Sequence, residues 1–392
     1  MIEKRSLGSR ALIGVAAMAM VVAACSGGGA TTAPSTAPSA DATTAPATDA
    51  PASGEPSAEP MSYKIGYSNG GGVGNGFREE QVCTAKAEAL ASGAVSELVT
   101  IHRNTDAAGQ LQDIRDLIAA DVDAIVFNPN DPDALNPALA EATAAGIVTV
   151  SVDAYVTDTA AYNLYNNQIK YAEIGATWLF EQMGGEGNVY YMRGIAGHPA
   201  DSDRDIGFKN ALANFPGITV VPTADGVHTG WDPVQGTQLI NDFIAAGSYD
   251  DIQGIWTSGI DSVVVDAIKA ANKDFVPIVG ADLGGFVSQL LDTAGYAGLE
   301  GVAVTNTAAV GGAGVNLALK LLAGETVETA GERPNTVLLD PVGADNVSDE
   351  GKALLASWQV DGLDPNWPLG LQIEGYTTYT PEQAVACKGP GE

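Results

Sequence analysis

The feature that most narrows the fold is an alternation. From residue 63 onward, short apolar runs ("YKIGY", "DAIVFN", "GIVTVSVD", "NVYYMRG", "GIWTS", "VPIVGAD") are separated by segments of helical period. A strand with one wet face alternates apolar and polar residues. A continuous run is what a strand buried on both faces needs, and such strands belong to parallel sheets covered by helices. Between the runs, "AGQLQDIRDLIAA" sets Leu111, Ile114, Leu117 and Ile118 on one helical stripe, and "GTQLINDFIAAG" does the same with Leu239, Ile240, Phe243 and Ile244. The expected class is α/β, with doubly wound parallel sheets and right-handed crossovers.

At 392 residues the chain exceeds what one core usually holds, and a weak internal repeat shows how it divides. "DAIVFNPNDPDALNPALAEATAAGIVTVSVDA" and "QGIWTSGIDSVVVDAIKAANKDFVPIVGAD" share one plan. Each has a buried strand, a polar turn with an acid (Asp131, Asp261), a helix, and a second strand ending in an acid (Asp153, Asp282). Two similar parallel-sheet lobes follow. In open α/β sheets ligands sit beyond the carboxyl ends of the strands, which is where Asn69, Asn128, Asp153 and Asp282 fall.

The first residues read differently. Lys4, Arg5 and Arg10 precede "ALIGVAAMAMVVAAC", a run too short to span a bilayer and ending in small residues, so residues 1–24 read as an export signal. "VAAC" resembles a bacterial lipobox, which implies Cys25 as a lipidated anchor; a plain secretory signal with an incidental cysteine is the alternative. The Ala/Thr/Pro/Ser tract that completes residues 25–61 has almost no large apolar side chain, and reads as a disordered tether. In an exported protein the remaining pair, Cys83 and Cys387, is expected to form a disulfide that ties the chain's end to the first helix.

Charge excludes one class of partner. With 18 basic and 48 acidic residues the formal charge is −30, which repels nucleic acid and suits an acidic, solubilising surface. The stretch "SNGGGVGNGF" (68–77) carries five glycines and leaves three uses open: a phosphate cradle, a hinge, or a loop that approaches a ligand closely. A dinucleotide loop fails because Phe77 stands where the third glycine belongs, and no Gly-Lys-Ser/Thr follows for a phosphate loop. Asp201, Asp203 and Asp205 have calcium-loop spacing, but Ile206 and Leu212 replace the required glycine and glutamate. His102, His198 and His228 form no zinc-type cluster, and no G-x-S-x-G elbow occurs. No metal, cofactor or catalytic activity is expected.

In the order and spacing of "DLIAADVDAIVFNPNDPDAL", "AAGIVTVSVD", "MRGIAGHPADSDRDIGF", "VPIVGAD" and "AVTNTAAVGG", the chain resembles periplasmic sugar-binding proteins of the ribose-binding type over about residues 63–340. The resemblance implies two α/β lobes joined by three crossing strands, with a ligand cleft between them. Lobe one would be 62–166 plus 307–345 and lobe two 167–306, with 346–392 longer than the family pattern and unplaced. It also implies ligand contacts at Asn75, Phe77, Arg78, Asn128, Asp153, Arg204, Trp231, Asp282 and Asn306. Carboxylates would accept from adjacent hydroxyls, Arg and Asn would donate, and the aromatics would offer faces to C–H surfaces. The bland alternatives stay open here: Phe77 as core, Asp153 and Asp282 as helix caps, Trp231 as core or surface.

Two positions depart from the family. Ala154 stands where an Arg often follows the lobe-one acid, and Ile260 replaces an Asn, so those two contacts are either missing or supplied differently, as by Arg78 or Trp256. The function implied is an extracytoplasmic, lipid-anchored monomer. It would capture a monosaccharide or polyol for an ABC importer permease, or, alternatively, present a sugar-like signal to a membrane sensor.

Overall fold

The computed structural model describes residues 62–330 and 333–392. The export signal, Cys25 and the tether lie outside the described residues. Among the described residues, no helix is long and apolar enough to cross a membrane.

The chain begins with five strands and four helices, β1 (Tyr63–Asn69), α1 (Gly76–Ala91), β2 (Val95–His102), α2 (Ala107–Ala119), β3 (Ala124–Asn128), α3 (Asn136–Ala144), β4 (Val148–Val152), β5 (Tyr162–Asn166) and α4 (Gln168–Gln182). The same plan then repeats with β6 (Glu186–Arg193), α5 (Pro199–Leu212), β7 (Gly217–Val221), the short β8 (Val227–His228), α6 (Pro233–Ala245), β9 (Gly254–Trp256), α7 (Asp261–Ala270), β10 (Ile278–Ala281), α8 (Gly284–Leu291) and β11 (Gly301–Val304). Helix α9 (Val310–Leu322) and β12 (Thr336–Leu339) return to the first sheet. Strand β13 (Gly343–Asp345), α10 (Asp349–Ser357) and α11 (Pro381–Ala386) complete the chain.

The first sheet runs β12-β5-β4-β3-β1-β2, all parallel. The second runs β13-β11-β10-β9-β6-β7, with β8 beside β6. Read outward from β1 and from β6, the two orders are the same, so the sequence repeat is a repeat of topology. Every residue of β3, β9, β10 and β11 is buried, as the unbroken apolar runs demanded. Separate apolar clusters fill both faces of each sheet: Val126, Val150 and Val315 on one face of the first and Ile114, Phe127 and Leu139 on the other. Fully burying one such side chain contributes roughly 1.5–3 kcal/mol.

The chain passes between the sheets three times: after β5, after β11 and after β12. The last passage falls earlier than the sequence boundary of 345 implied. β13 pairs antiparallel with β11 through Val302–Asp345 and Val304–Gly343, because that is the open edge of the second sheet.

The tail acquires a place. α10 packs on α8 and β13 in the second lobe, whereas α11 packs on α1 in the first, where Cys83 and Cys387 are joined by a disulfide. Between these two anchorages, residues 358–380 cross from one lobe to the other.

Candidate functional site

Strands of both sheets end facing one cavity of about 380 Å³, within the usual size range of small-molecule sites. Its rim and walls include helix N-termini. Asn75 caps α1 by accepting the Arg78 N–H, and His198 Nδ1 caps α5 by accepting the Ala200 N–H at 3.2 Å.

The structure gathers most of the residues chosen from sequence. Asn75, Phe77, Arg78 and Asp153 line the cavity from the first lobe, Arg204 and Trp231 from the second, and Asn306 from the crossing after β11. Phe77 is half-buried and stands outside the apolar clusters, so it is a cavity wall and not core. Two of these residues hold left-handed backbone, Asp153 at φ 66° and Trp231 at φ 52°. For a Trp this costs energy that local packing must offset, and such strain concentrates at functional sites. Part of the cause is visible at Gly194, where a Cβ would stand 2.1 Å from the Trp231 indole, so the ring is pressed onto bare backbone.

The polar groups are arranged with unused capacity toward the cavity. Asp153 Oδ2 accepts from Asn128 Nδ2 at 2.9 Å, while its Oδ1 is buried without a hydrogen bond among the described residues. Burial pushes the Asp153 carboxyl up, opposed by Arg78, the Asn128 bond and Arg204. Arg78 Nη1 donates to Asn69 Oδ1 at 3.0 Å. Arg204 Nε donates to Gln168 Oε1 at 2.8 Å, and its guanidinium lies 4.3 Å over the Tyr171 ring and 5.5 Å from Trp231. Asn306 Oδ1 accepts from Asn166 and from Gln168, at 3.0 and 2.9 Å, which commits its acceptor and leaves Nδ2 as the donor.

Two contacts cross the cleft. Asn75 Nδ2 donates to the Trp231 carbonyl at 3.4 Å, and Arg78 Nη2 lies 3.3 Å from His198 Nε2. Burial, then Arg78 and Arg204, hold His198 well below its ordinary pKa, so the ring is neutral near pH 7.

Other expectations are corrected. Asn128 does not line the cavity; it stands behind Asp153, donating also to Gln81 Oε1 at 3.0 Å. Asp282 does not line it either: Oδ1 accepts the Asn306 N–H at 2.8 Å, and Oδ2, beside Gly370 of the tail, is buried without a hydrogen bond among the described residues. Burial pushes the Asp282 carboxyl up to about 6 against the pull of the Asn306 and Gly370 N–H groups. Neither acid is a helix cap, since α8 follows Leu283 with no side-chain cap and Asp153 precedes no helix. Trp256 cannot replace a missing ligand contact, because it is core, packed edge-on against Tyr171, Tyr191 and Phe208.

His198 is absent from the residues expected from sequence, because a lone histidine outside a zinc-type cluster carries little signal there. Its signal was "GHP" after a buried strand, a cap position at a strand's carboxyl end. Among the described residues no group of His, Cys, Asp and Glu is arranged to hold a metal.

Comparison with known proteins agrees with this architecture. The family model described as periplasmic binding protein domain matches residues 65–326. A xylitol-binding protein of Mycolicibacterium smegmatis is 27% identical over 236 residues, covering 59% of this chain and 66% of that protein. A ribose import binding protein of Bacillus subtilis is 24% identical over 189 residues, covering 47% and 59%. The chain thus matches somewhat less than two thirds of the length of these relatives. Among solved structures, an ABC transporter solute binding protein from Thermobispora bispora has a TM-score of 0.67 at 24% identity, covering 78% of this chain and 90% of that one. Another, from Mycobacterium smegmatis with bound glycerol, has a TM-score of 0.64 at 24% identity, covering 78% and 98%. At these identities the structures show a shared fold.

Proposed function

The chain belongs to the periplasmic binding protein domain family, and from that premise we propose that it captures a monosaccharide or polyol outside the cytoplasm and delivers it to an ABC importer permease. It is a binding protein and no enzyme, as its relatives are. The observation that carries the ligand class is the cavity itself. Phe77 and Trp231 supply aromatic faces, Asp153 an unpaired acceptor, and Arg78, Arg204 and Asn306 donors. That mixture suits a compact molecule with hydroxyls on its edge and C–H groups on its faces. The relatives named for xylitol and ribose support the same class.

A thermal-shift screen across pentoses, hexoses, polyols and nucleosides tests this reading. A true ligand at 100 times its dissociation constant adds about 2.7 kcal/mol to stability. A panel in which no polyhydroxylated compound shifts the transition would sink the proposal.

The protein acts as a monomer held at the membrane through lipid on Cys25, with residues 26–61 as its tether. Replacing Cys25 with Ala should release it from membranes or stall its maturation. Unchanged membrane fractionation of Cys25→Ala would remove the anchor from this account.

A further inference from the structure

We infer that the C-terminal extension builds a third wall of the ligand cleft, and that residues Asn366–Pro368 limit the size of ligand the cavity admits. The inference rests on the solute-binding reading above and adds a specificity determinant to it. Asn366 and Pro368 line the same cavity as Arg78, Asp153 and Arg204.

The wall is fixed on both sides. Toward the second lobe, it pairs with the turn after β10 like a short added strand. Pro368 bridges to Leu283, the Trp367 and Pro365 carbonyls accept the Gly284 and Gly285 N–H groups at 2.9 and 2.7 Å, and Leu369 N–H donates to the Asp282 carbonyl at 2.9 Å. Leu369 enters the second-lobe apolar cluster. Toward the first lobe, it butts against the opening turn of α1: a Cβ on Gly76 would lie 2.0 Å from the Asn366 carbonyl oxygen and 2.9 Å from Trp367 Cδ1. Only glycine at 76 lets the wall stand there, beside Phe77.

Beyond the wall the chain is held again. Thr307 Oγ1 donates to the Gly370 carbonyl, Thr378 N–H donates to Glu88 Oε2 at 2.7 Å, and Leu371, Tyr379 and Ala384 pack with Ala87 of α1. A segment paired on one side, abutted on the other and tied at its end to α1 cannot retreat to accommodate a larger ligand. Asn366 Nδ2 donates to Asp364 Oδ1 within its own turn, so the side chain is aimed by the backbone that carries it. Because Asn366 also lines the cavity, a larger side chain at 366 adds bulk at its rim.

The test compares wild type with Asn366→Trp and Asn366→Ala, using glycerol, xylitol, D-ribose, D-allose and myo-inositol as calorimetric probes. In Asn366→Trp the dissociation constant of the largest probe that binds wild type should rise at least tenfold relative to the smallest. Asn366→Ala should leave that ratio unchanged or lower it. Equal changes for all probes, or none, would overturn the wall. Hydrogen exchange of the unliganded wild type gives an independent readout: slow exchange at Gly284, Gly285 and Leu369 is expected, and fast exchange there overturns the inference. If no probe binds wild type while those amides are protected, the ligand class has failed and the wall stands.

Discussion

Replacing Cys387 with Ser should lower the melting temperature of the oxidised protein by roughly 10 °C. The bridge joins residues 304 apart in sequence, and cross-linking a loop of that length removes denatured-state entropy worth on the order of 5 kcal/mol. At the size of this protein, each kcal/mol moves the midpoint by about 2–4 °C. The native side offers little to replace it. Besides the bridge, the tail holds α1 through the bonds of Glu88 to Thr378 N–H and Oγ1, at 2.7 and 3.0 Å, through a surface ion pair of Lys86 with Glu392 at 2.9 Å, and through a small apolar cluster. Calorimetry of Cys387→Ser, Cys83→Ser and the double variant checks the value. The three should agree, since each removes the same constraint, and wild type in reductant should join them. A midpoint unchanged in all four would mean that packing alone holds the tail.

What the sequence made legible, and what it did not, follows from range. The strands β3, β4, β9 and β10 were readable because burial on both faces leaves a mark in consecutive residues. Phe77, Arg78, Asp153 and Arg204, expected from the resemblance, line the cavity. The tail was not, since "PNWPLGLQIEG" has neither helical nor strand period and is held by backbone bonds to a turn far upstream. Asp282 misled for the same reason. Its place at the end of "VGAD" matches that of Asp153 in "VSVD", but a tail residue, Gly370, closes over its carboxylate. The resemblance sets the end of the glycine-rich stretch against a ligand. Gly72 and Gly74 do hold left-handed turns, yet the close approach at Gly76 is made by the protein's own tail.

Asp153 and Asp282, equivalent in the sequence repeat, should therefore fail in opposite ways when changed. Asp153 offers the cavity a buried acceptor with no protein partner, and a charge-assisted bond to a ligand hydroxyl is worth about 1.5–3 kcal/mol. At 1.4 kcal/mol per tenfold, Asp153→Asn should weaken binding roughly 10- to 100-fold. Its apo stability should change little, because Asn128 keeps Gln81 as an acceptor and Arg78 keeps Asn69. Asp282→Ala instead strands the buried Asn306 N–H, a loss of about 1–3 kcal/mol of stability. That loss has a pH signature. The folded carboxyl is raised to about 6, above the ordinary value of about 3.9 in the unfolded chain. Its contribution is thus fully present below about pH 4 and declines as pH rises toward 6. The gap in melting temperature between wild type and Asp282→Ala should be widest near pH 4 and narrow by pH 7, while Asp153→Asn tracks wild type more closely in the apo state. Calorimetric affinities at pH 7 and apo melting curves from pH 4 to 7 decide it. Equal affinity losses without a stability difference would return Asp282 to the cavity wall.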